Sequence, residues 1–556
     1  MGKTNDMSTR RHTFLRLLAV VSVLATISWE STAMAGGVEF PAAGTSALGR
    51  GGAAHARPGN PMSLLYNPAA LASISGIQIS LQTHLAIFSS CMQRDGNYSM
   101  DLSLASDNAF TAASGEAGDE ASLADMRLPE MCNSAFPGVI PELVLSWRVH
   151  EKVGLAIGFL APPGVANQQY GESTTLANGR TYVGTQDGLP APTRYMLVES
   201  SALLAFPTIG LGVAVHPRVH LGLAFGSGFG VFDLSSVTRA TGGDDFSGDV
   251  LTQVSVSDAF VPRLTASVHT IPHDNLDISL TFMWTDDVRA KGDVNLQSGY
   301  YQDEVLAELT IPNATFEIPQ PWSLALGIRY AQRLAPRSRA TNLSQLSGQV
   351  EDEMSNERWD IELDVVYERN SGFNNLTTQL PPCSAPNCGS QFQNGDPGNR
   401  WGLPIPLLGP TISPSLPETT RLPHRFKDQL SLRLGGDYNI IPGFVSARAG
   451  LSYETKGVEG GFEQIDFQPF QRFGLHVGAT MRFGNFDLSL AYAHLFQSSA
   501  TNTDGQIFQT NAAHALGELG AVDEPPALLQ QRQVQNNGTI RSNFNVFSLG
   551  LTYHIR

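Results

Sequence analysis

The feature that most restricts what this chain can fold into is an alternation of apolar and polar residues that returns from residue 76 to the C-terminus. A period of two sends successive side chains to opposite faces of a sheet, whereas a helix needs apolar residues three and four apart. Leu276, Ile278, Leu280, Phe282 and Trp284 alternate with Asp277, Ser279, Thr281 and Met283, and Trp359, Ile361, Leu363, Val365 and Tyr367 alternate with Asp360, Glu362, Asp364 and Val366. Such segments span 76–90, 139–149, 152–160, 197–216, 218–232, 259–271, 274–285, 321–331, 358–369, 428–440, 443–455, 472–484, 486–497 and 541–555. They number 14, an even count, as a bacterial outer-membrane barrel requires.

Beyond the first 35 residues no run of 18 apolar residues occurs, so no helix can span a bilayer. If the chain lies in a membrane it must do so as closed sheet, because hydrocarbon leaves no backbone polar group a partner outside the protein. A soluble sandwich would also alternate, but its wet face should carry many Lys and Glu. Here the polar face is rich in Gly, Ser, Ala and isolated charges, and charged residues make up 15% of the chain against a usual ~25%. That suits an enclosed lumen.

The links support the same architecture. Those near His150-Glu151, Pro217, Pro272-His273, Ile441-Pro442 and Asn485 are tight, and they alternate with long links at 91–138, 161–193, 233–258, 286–320, 370–427, 456–471 and 498–540. Short periplasmic turns and long outer loops are the pattern of such barrels, with both termini on the short-turn side. The polar link 332–357 is long for that side and leaves room for a further strand.

Arg10, Arg11 and Arg16 precede the apolar run Leu17 to Trp29, and Ala33-Met34-Ala35 is a small-residue cleavage site, so residues 1–35 read as a signal peptide. The formal charge of -16 becomes about -18 without it, which excludes nucleic acid as a partner because phosphate binding needs a basic face. Cys91 with Cys132 and Cys383 with Cys388 read as two disulfides of an oxidising compartment. Half a metal site at Cys383-x4-Cys388 is the alternative, but no second Cys/His cluster accompanies it, so no metal and no cofactor is expected. No nucleophile and base share a recognisable frame, so the chain does not read as an enzyme.

Gly44-Thr45-Ser46-Ala47-Leu48-Gly49-Arg50-Gly51-Gly52-Ala53 and Tyr66-Asn67-Pro68-Ala69-Ala70-Leu71, placed between the cleavage site and the first strand, resemble the N-terminal plug and Asn-Pro-Ala motif of the FadL/TodX family. Gly154 to Gly164 is similar to that family's third strand, with Pro163 where the family has an aromatic residue. Phe316–Pro319 to Gly327–Tyr330 and Lys427-Asp428 to Arg433–Gly435 also look like family blocks. Ser548 to Ile555 resembles a signal for the barrel assembly machinery.

The resemblance implies an all-β fold, a 14-stranded antiparallel transmembrane β-barrel plugged by a small hatch. The expected domains are the signal peptide 1–35, the hatch 36–75 and the barrel 76–556. It implies a passive channel in the outer membrane of a Gram-negative bacterium, taking up hydrophobic compounds, long-chain fatty acids first among them. Release would be sideways into outer-membrane lipid, through a third-strand kink at Pro162, Pro163 and Gly164, whose prolines cannot donate to the ladder. A general or sugar-selective porin is the alternative function. A TonB-driven transporter would need a far larger plug, and an adhesin or structural barrel would dispense with cargo.

If the cargo is a carboxylate, an inward arginine could hold its head by paired hydrogen bonds, and the alternation turns Arg329, Arg433, Arg448 and Arg482 inward. The competing reading pairs such arginines with inner acids such as Asp437 and Glu454. Trp401, Leu403, Ile405 and Leu407 form an apolar patch in an outer loop, either a docking surface for cargo or loop-on-loop packing.

Overall fold

A computed structural model describes residues 43–98, 127–161, 167–175, 179–239, 248–302, 305–334, 352–383, 401–403, 416–508 and 534–555. Each of the 14 alternating segments forms a strand: β1 Ile77–Arg94, β2 Gly138–His150, β3 Val153–Leu160, β4 Glu199–His216, β5 Val219–Arg239, β6 Asp249–His273 and β7 Leu276–Thr285. The second half comprises β8 Trp322–Arg333, β9 Glu357–Arg369, β10 Gln429–Ile441, β11 Val445–Glu454, β12 Arg472–Phe483, β13 Phe486–Gln497 and β14 Gly538–Ile555. Each strand pairs antiparallel with the next. β14 closes on β1 in one unbroken register from Ile77↔Ile555 to Arg94↔Gly538. Closure leaves no sheet edge, which is what permits a strand protein to stand in hydrocarbon.

Burial runs opposite to a soluble protein. On β1, Ile77, Ile79, Leu81 and Leu85 are exposed, while Gln78, Ser80, Gln82 and His84 between them are buried. Leu223, Leu280, Leu363, Leu490 and Leu551 continue the exposed apolar girdle around the wall. Side chains that face lipid outside and a closed interior within produce this inversion.

Several strands run past the lengths expected of them. β5 and β6 remain paired as far as Arg239↔Asp249, well beyond the membrane band. The expected outer loop 286–320 contains a hairpin, Val288–Ser298 with Ala307–Ile318, that adds to the outer part of β6. Its inner face is Val288, Ala290, Val294 and Leu296, so it alternates for the barrel's own reason, but it covers the lumen instead of lining the membrane.

The long link after β8 shows no extra strand among its described residues. A single helical turn, α3 Glu353–Asn356, leads straight into β9. It lies across the periplasmic rim: Asn439 Nδ2 donates to Glu353 O at 2.9 Å, Gly443 N donates to Met354 O at 2.8 Å, and Asp352 pairs with Arg482 at 2.8 Å.

Candidate functional site

The lower lumen is filled by residues 43–75, folded as α1 Thr45–Leu48, α2 Ser63–Tyr66 and a 3-10 turn Pro68–Ser73. The expected signal peptide lies outside the described residues. Asn67 ties the hatch to the wall: its Nδ2 donates to His55 O at 2.7 Å, between α1 and α2, and lies 3.1 Å from His269 Nδ1 on β6. Pro68 opens the 3-10 turn, where a missing N–H costs nothing. Ala69 N donates to Ser267 Oγ at 2.8 Å, and its methyl is fully buried. The three residues of the motif thus fix one turn of the hatch against β6.

One wall holds the hatch by charge. Arg50, wholly buried, donates to Asp360 and Glu362 of β9 and to Asp437 of β10 at 2.7–3.0 Å. Burial disfavours its charge, yet Asp360 and Asp437 outweigh that cost and hold the guanidinium well above its ordinary pKa. Arg57 pairs with Asp437 at 2.9 Å, and His55 Nδ1 lies 2.9 Å from Asp364. The opposite wall holds it by shape. A Cβ on Gly154 of β3 or Gly222 of β5 would overlap the hatch backbone at Leu71 and at Pro68-Ala69, and one on Gly212 of β4 would come within 2.6 Å of Pro68 O and Ala72 N.

Above the hatch the interior becomes apolar. Leu204, Phe206, Phe232, Val254, Val261 and Phe316 of the wall and its hairpin join Phe373, Trp401, Phe426 and Phe470 of the outer loops in one cluster.

The four expected arginines all point inward, but three have carboxylate partners. Arg329 meets Asp277 at 3.3 Å, Asp360 at 2.7 Å and Glu357. Arg448 meets Asp437 at 3.4 Å and donates to Thr480 at 2.7 Å. Arg482 meets Asp352 at 2.8 Å and Asp487 at 2.6 Å. Arg433 differs: it is buried, its Nε has no partner, and it makes no ion pair among the described residues. Tyr66 of the hatch and His476 of β12 lie within its electrostatic reach. Arg448 with Asp437 and Arg482 with Asp487 pair across hairpins, whereas Arg329 draws its acids from β7 and β9.

Of the two readings of Trp401 and Leu403, the structure fits loop-on-loop packing. Both are buried in the apolar cluster, and Trp401 Nε1 donates to Pro381 O at 2.8 Å, because the outer loops pack on one another instead of displaying their apolar residues. Ile405 and Leu407 lie outside the described residues, as do Pro162, Pro163 and Gly164. β3 ends at Leu160, and its pairing with β2 stops at Leu143↔Phe159 although β2 continues outward to Gly138. Cys91 and Cys132 are bonded, not within a loop but directly opposite one another where a short strand joins β1. Cys383 is also disulfide-bonded, and Cys388 lies outside the described residues.

No family model matches the sequence, and no curated protein matches it. Solved structures do. A Pseudomonas aeruginosa FadL homologue superposes with a TM-score of 0.60 at 14% identity, over 94% of this chain and 99% of that one. The P. putida toluene transporter TodX gives 0.54 at 13%, over 94% and 98%. The Ralstonia pickettii toluene transporter TbuX gives 0.52 at 11%, over 92% and 99%. Closed barrel, filled lower lumen and near-complete mutual coverage converge on one statement: this chain has the fold of the FadL-type outer-membrane channels.

Proposed function

We propose that the protein is a passive outer-membrane channel for the uptake of hydrophobic compounds, with long-chain fatty acids as its cargo. The observation that carries the reading is the division of the lumen: an apolar outer half resting on a polar hatch, with Arg433 near Tyr66 of the hatch and in no ion pair among the described residues. An amphiphile with one carboxylate and a long chain matches that division, its chain in the apolar half and its head on a guanidinium that can give paired hydrogen bonds. A general porin fits poorly, because an open aqueous pore has no use for an ionically fixed plug or an apolar outer lumen.

Sideways release is part of the proposal. It is supported by the early end of β2–β3 pairing and by the shortness of β3, whose outer neighbour on β4 is instead the separate pair Gln168-Gln169. The second reading takes a neutral monoaromatic cargo, the kind named for TodX and for the structurally similar CymD, described as a monoaromatic hydrocarbon channel. The apolar half suits it equally, but it leaves Arg433 without a role.

The two cargoes separate in one experiment. Oleate and toluene are titrated against the detergent-purified full chain and against Arg433→Met. The fatty acid reading expects the substitution to weaken oleate by about tenfold, the equivalent of ~1.4 kcal/mol, and to leave toluene unchanged. Oleate affinity indifferent to Arg433 would transfer the assignment to neutral cargo, and a ligand-free protein with high ion conductance would overturn both.

A further inference from the structure

The hatch is cationic, and the walls around it carry histidines. Residues 43–75 contain Arg50, Arg57 and His55 but no Asp or Glu. Four wall histidines touch this segment among the described residues. His84 of β1 lies 3.1 Å from Gly44 N, His220 of β5 3.5 Å from Ser73 Oγ, His269 of β6 3.1 Å from Asn67 Nδ2, and His476 of β12 2.9 Å from Leu48 O. Histidine is the side chain that changes charge in mildly acidic water, so a proton gained at any of them sets positive charge against a segment that offers no acid.

At His269 the geometry fixes the protonation state. Asn67 Nδ2 gives one hydrogen to His55 O at 2.7 Å, and a carbonyl can only accept, which orients the amide. The same nitrogen presents its second hydrogen to His269 Nδ1 at 3.1 Å. Nδ1 is therefore the acceptor of this ring, and its proton sits on Nε2, 3.1 Å from Asp277 Oδ1. A further proton must go to Nδ1, where it faces an N–H. Asn67 Oδ1 has no partner, yet turning it toward the ring would give up the bond to His55 O. Both side chains are wholly buried. Asp277, the acid in contact with the ring, already faces Arg329 at 3.3 Å and Arg333 at 3.9 Å. His220 stacks on the ring with centroids 5.9 Å apart, so two imidazolium rings there would repel.

We propose that His269 is a pH-sensitive latch on the hatch. Neutral, it holds the Asn67-Pro68-Ala69 turn against β6 by accepting from the Asn67 amide. Protonated, it sets donor against donor and releases that turn. The latch adjoins β5, on the wall where the hatch rests by shape, so release loosens that side and leaves the ion pairs of Arg50 on β9 and β10 in place.

The test is hydrogen exchange at 67–73 in the detergent-purified full chain, corrected for the intrinsic effect of pH on exchange. From neutral pH to mild acid the wild type should exchange there about tenfold faster, as one buried hydrogen bond is lost. His269→Gln offers Asn67 an acceptor and Asp277 a donor but takes no proton, so it should keep exchange slow and remove the dependence on pH. Asn67→Asp, whose carboxylate accepts from the imidazolium, should reverse the sign, with exchange slowing as pH falls. Heat-modifiable mobility reports the folding of each variant separately from release. Wild-type exchange at 67–73 that ignores pH, a dependence that survives in His269→Gln, or faster exchange of Asn67→Asp in acid overturns the proposal. These outcomes are independent of cargo and of oleate binding.

Discussion

The hatch meets two unlike walls. On β9 and β10 it is held by Arg50, His55 and Arg57 against Asp360, Glu362, Asp364 and Asp437. On β3 to β5 it lies on glycines, with Leu64 and Leu71 packed among Val144 of β2 and Ala156, Leu160 and Ala224. The first contact is strong and directional, and losing one partner leaves buried charge uncompensated. The second rests mainly on fit, with Ser73 Oγ 3.5 Å from His220 Nδ1 of β5. Such a hatch is expected to hold fast on the first wall and to separate more readily on the second, which includes the shortened third strand.

The sharpest way to break that comparison is Arg50→Met. Three buried carboxylates lose their common cation, which should cost about 3–5 kcal/mol and appear as a lower midpoint for heat-modifiable mobility together with raised ion conductance. Gly222→Val attacks the other wall. Its side chain overlaps the hatch backbone, so the hatch must shift, at about 1–3 kcal/mol and with a larger change in conductance than in midpoint. If both variants moved midpoint and conductance in the same ratio, the distinction between a fixed and a separable side would fail. Arg433→Met sharpens it from above: removing an unpaired buried cation should leave the midpoint unchanged or raise it, in contrast to Arg50.

The smallest expected effects concern pH. Burial pushes the Glu353 carboxyl up to about 7, with Arg57 opposing and Glu357 adding to the rise. The folded state therefore holds this proton more tightly than the unfolded chain does. The associated stability is complete below the ordinary carboxylate range and is lost as pH rises through 7. Hydrogen exchange at 352–356 should quicken between pH 6 and 8 (roughly one unit about the shifted value), and Glu353→Gln should flatten the change. On the outer side, burial works against the charge of His424, but Asp466 at 2.7 Å overrides it and holds the pKa above the ordinary histidine range. Its contribution is present below that range and fades as pH climbs past the raised value, so the loops around Phe373, Phe426 and Phe467 should exchange faster in alkali. Asp466→Asn should remove the dependence.

Much of the fold was legible because a barrel strand reports itself locally. Ile79, Leu81 and Leu85 face lipid whichever strands lie beside β1, so alternation located all 14 strands and the tight turns between them. The hairpin Val288–Ser298 with Ala307–Ile318 was not assigned, since alternation alone does not say whether a strand lines the membrane or caps the lumen. The candidate site was legible only in part. Asn67, Pro68 and Ala69 form a contiguous motif, and Arg433 occupies a visible inward position. The apolar patch at Trp401 and Leu403 left docking and loop-on-loop packing both open, because which loops cover it depends on contacts across the outer rim.

What the sequence determined by itself was the period of two, the even number of strands and the side of the wall on which each residue lies, because these depend only on backbone geometry and the surrounding medium. What only the tertiary structure decided was pairing across the lumen. Asp360 and Asp437 lie 310 and 387 positions from Arg50 yet share one buried cluster with it, whereas Arg433 has no acid partner among the described residues. Barrel closure sets which inner residues face one another, and the charge that remains unpaired follows from that closure.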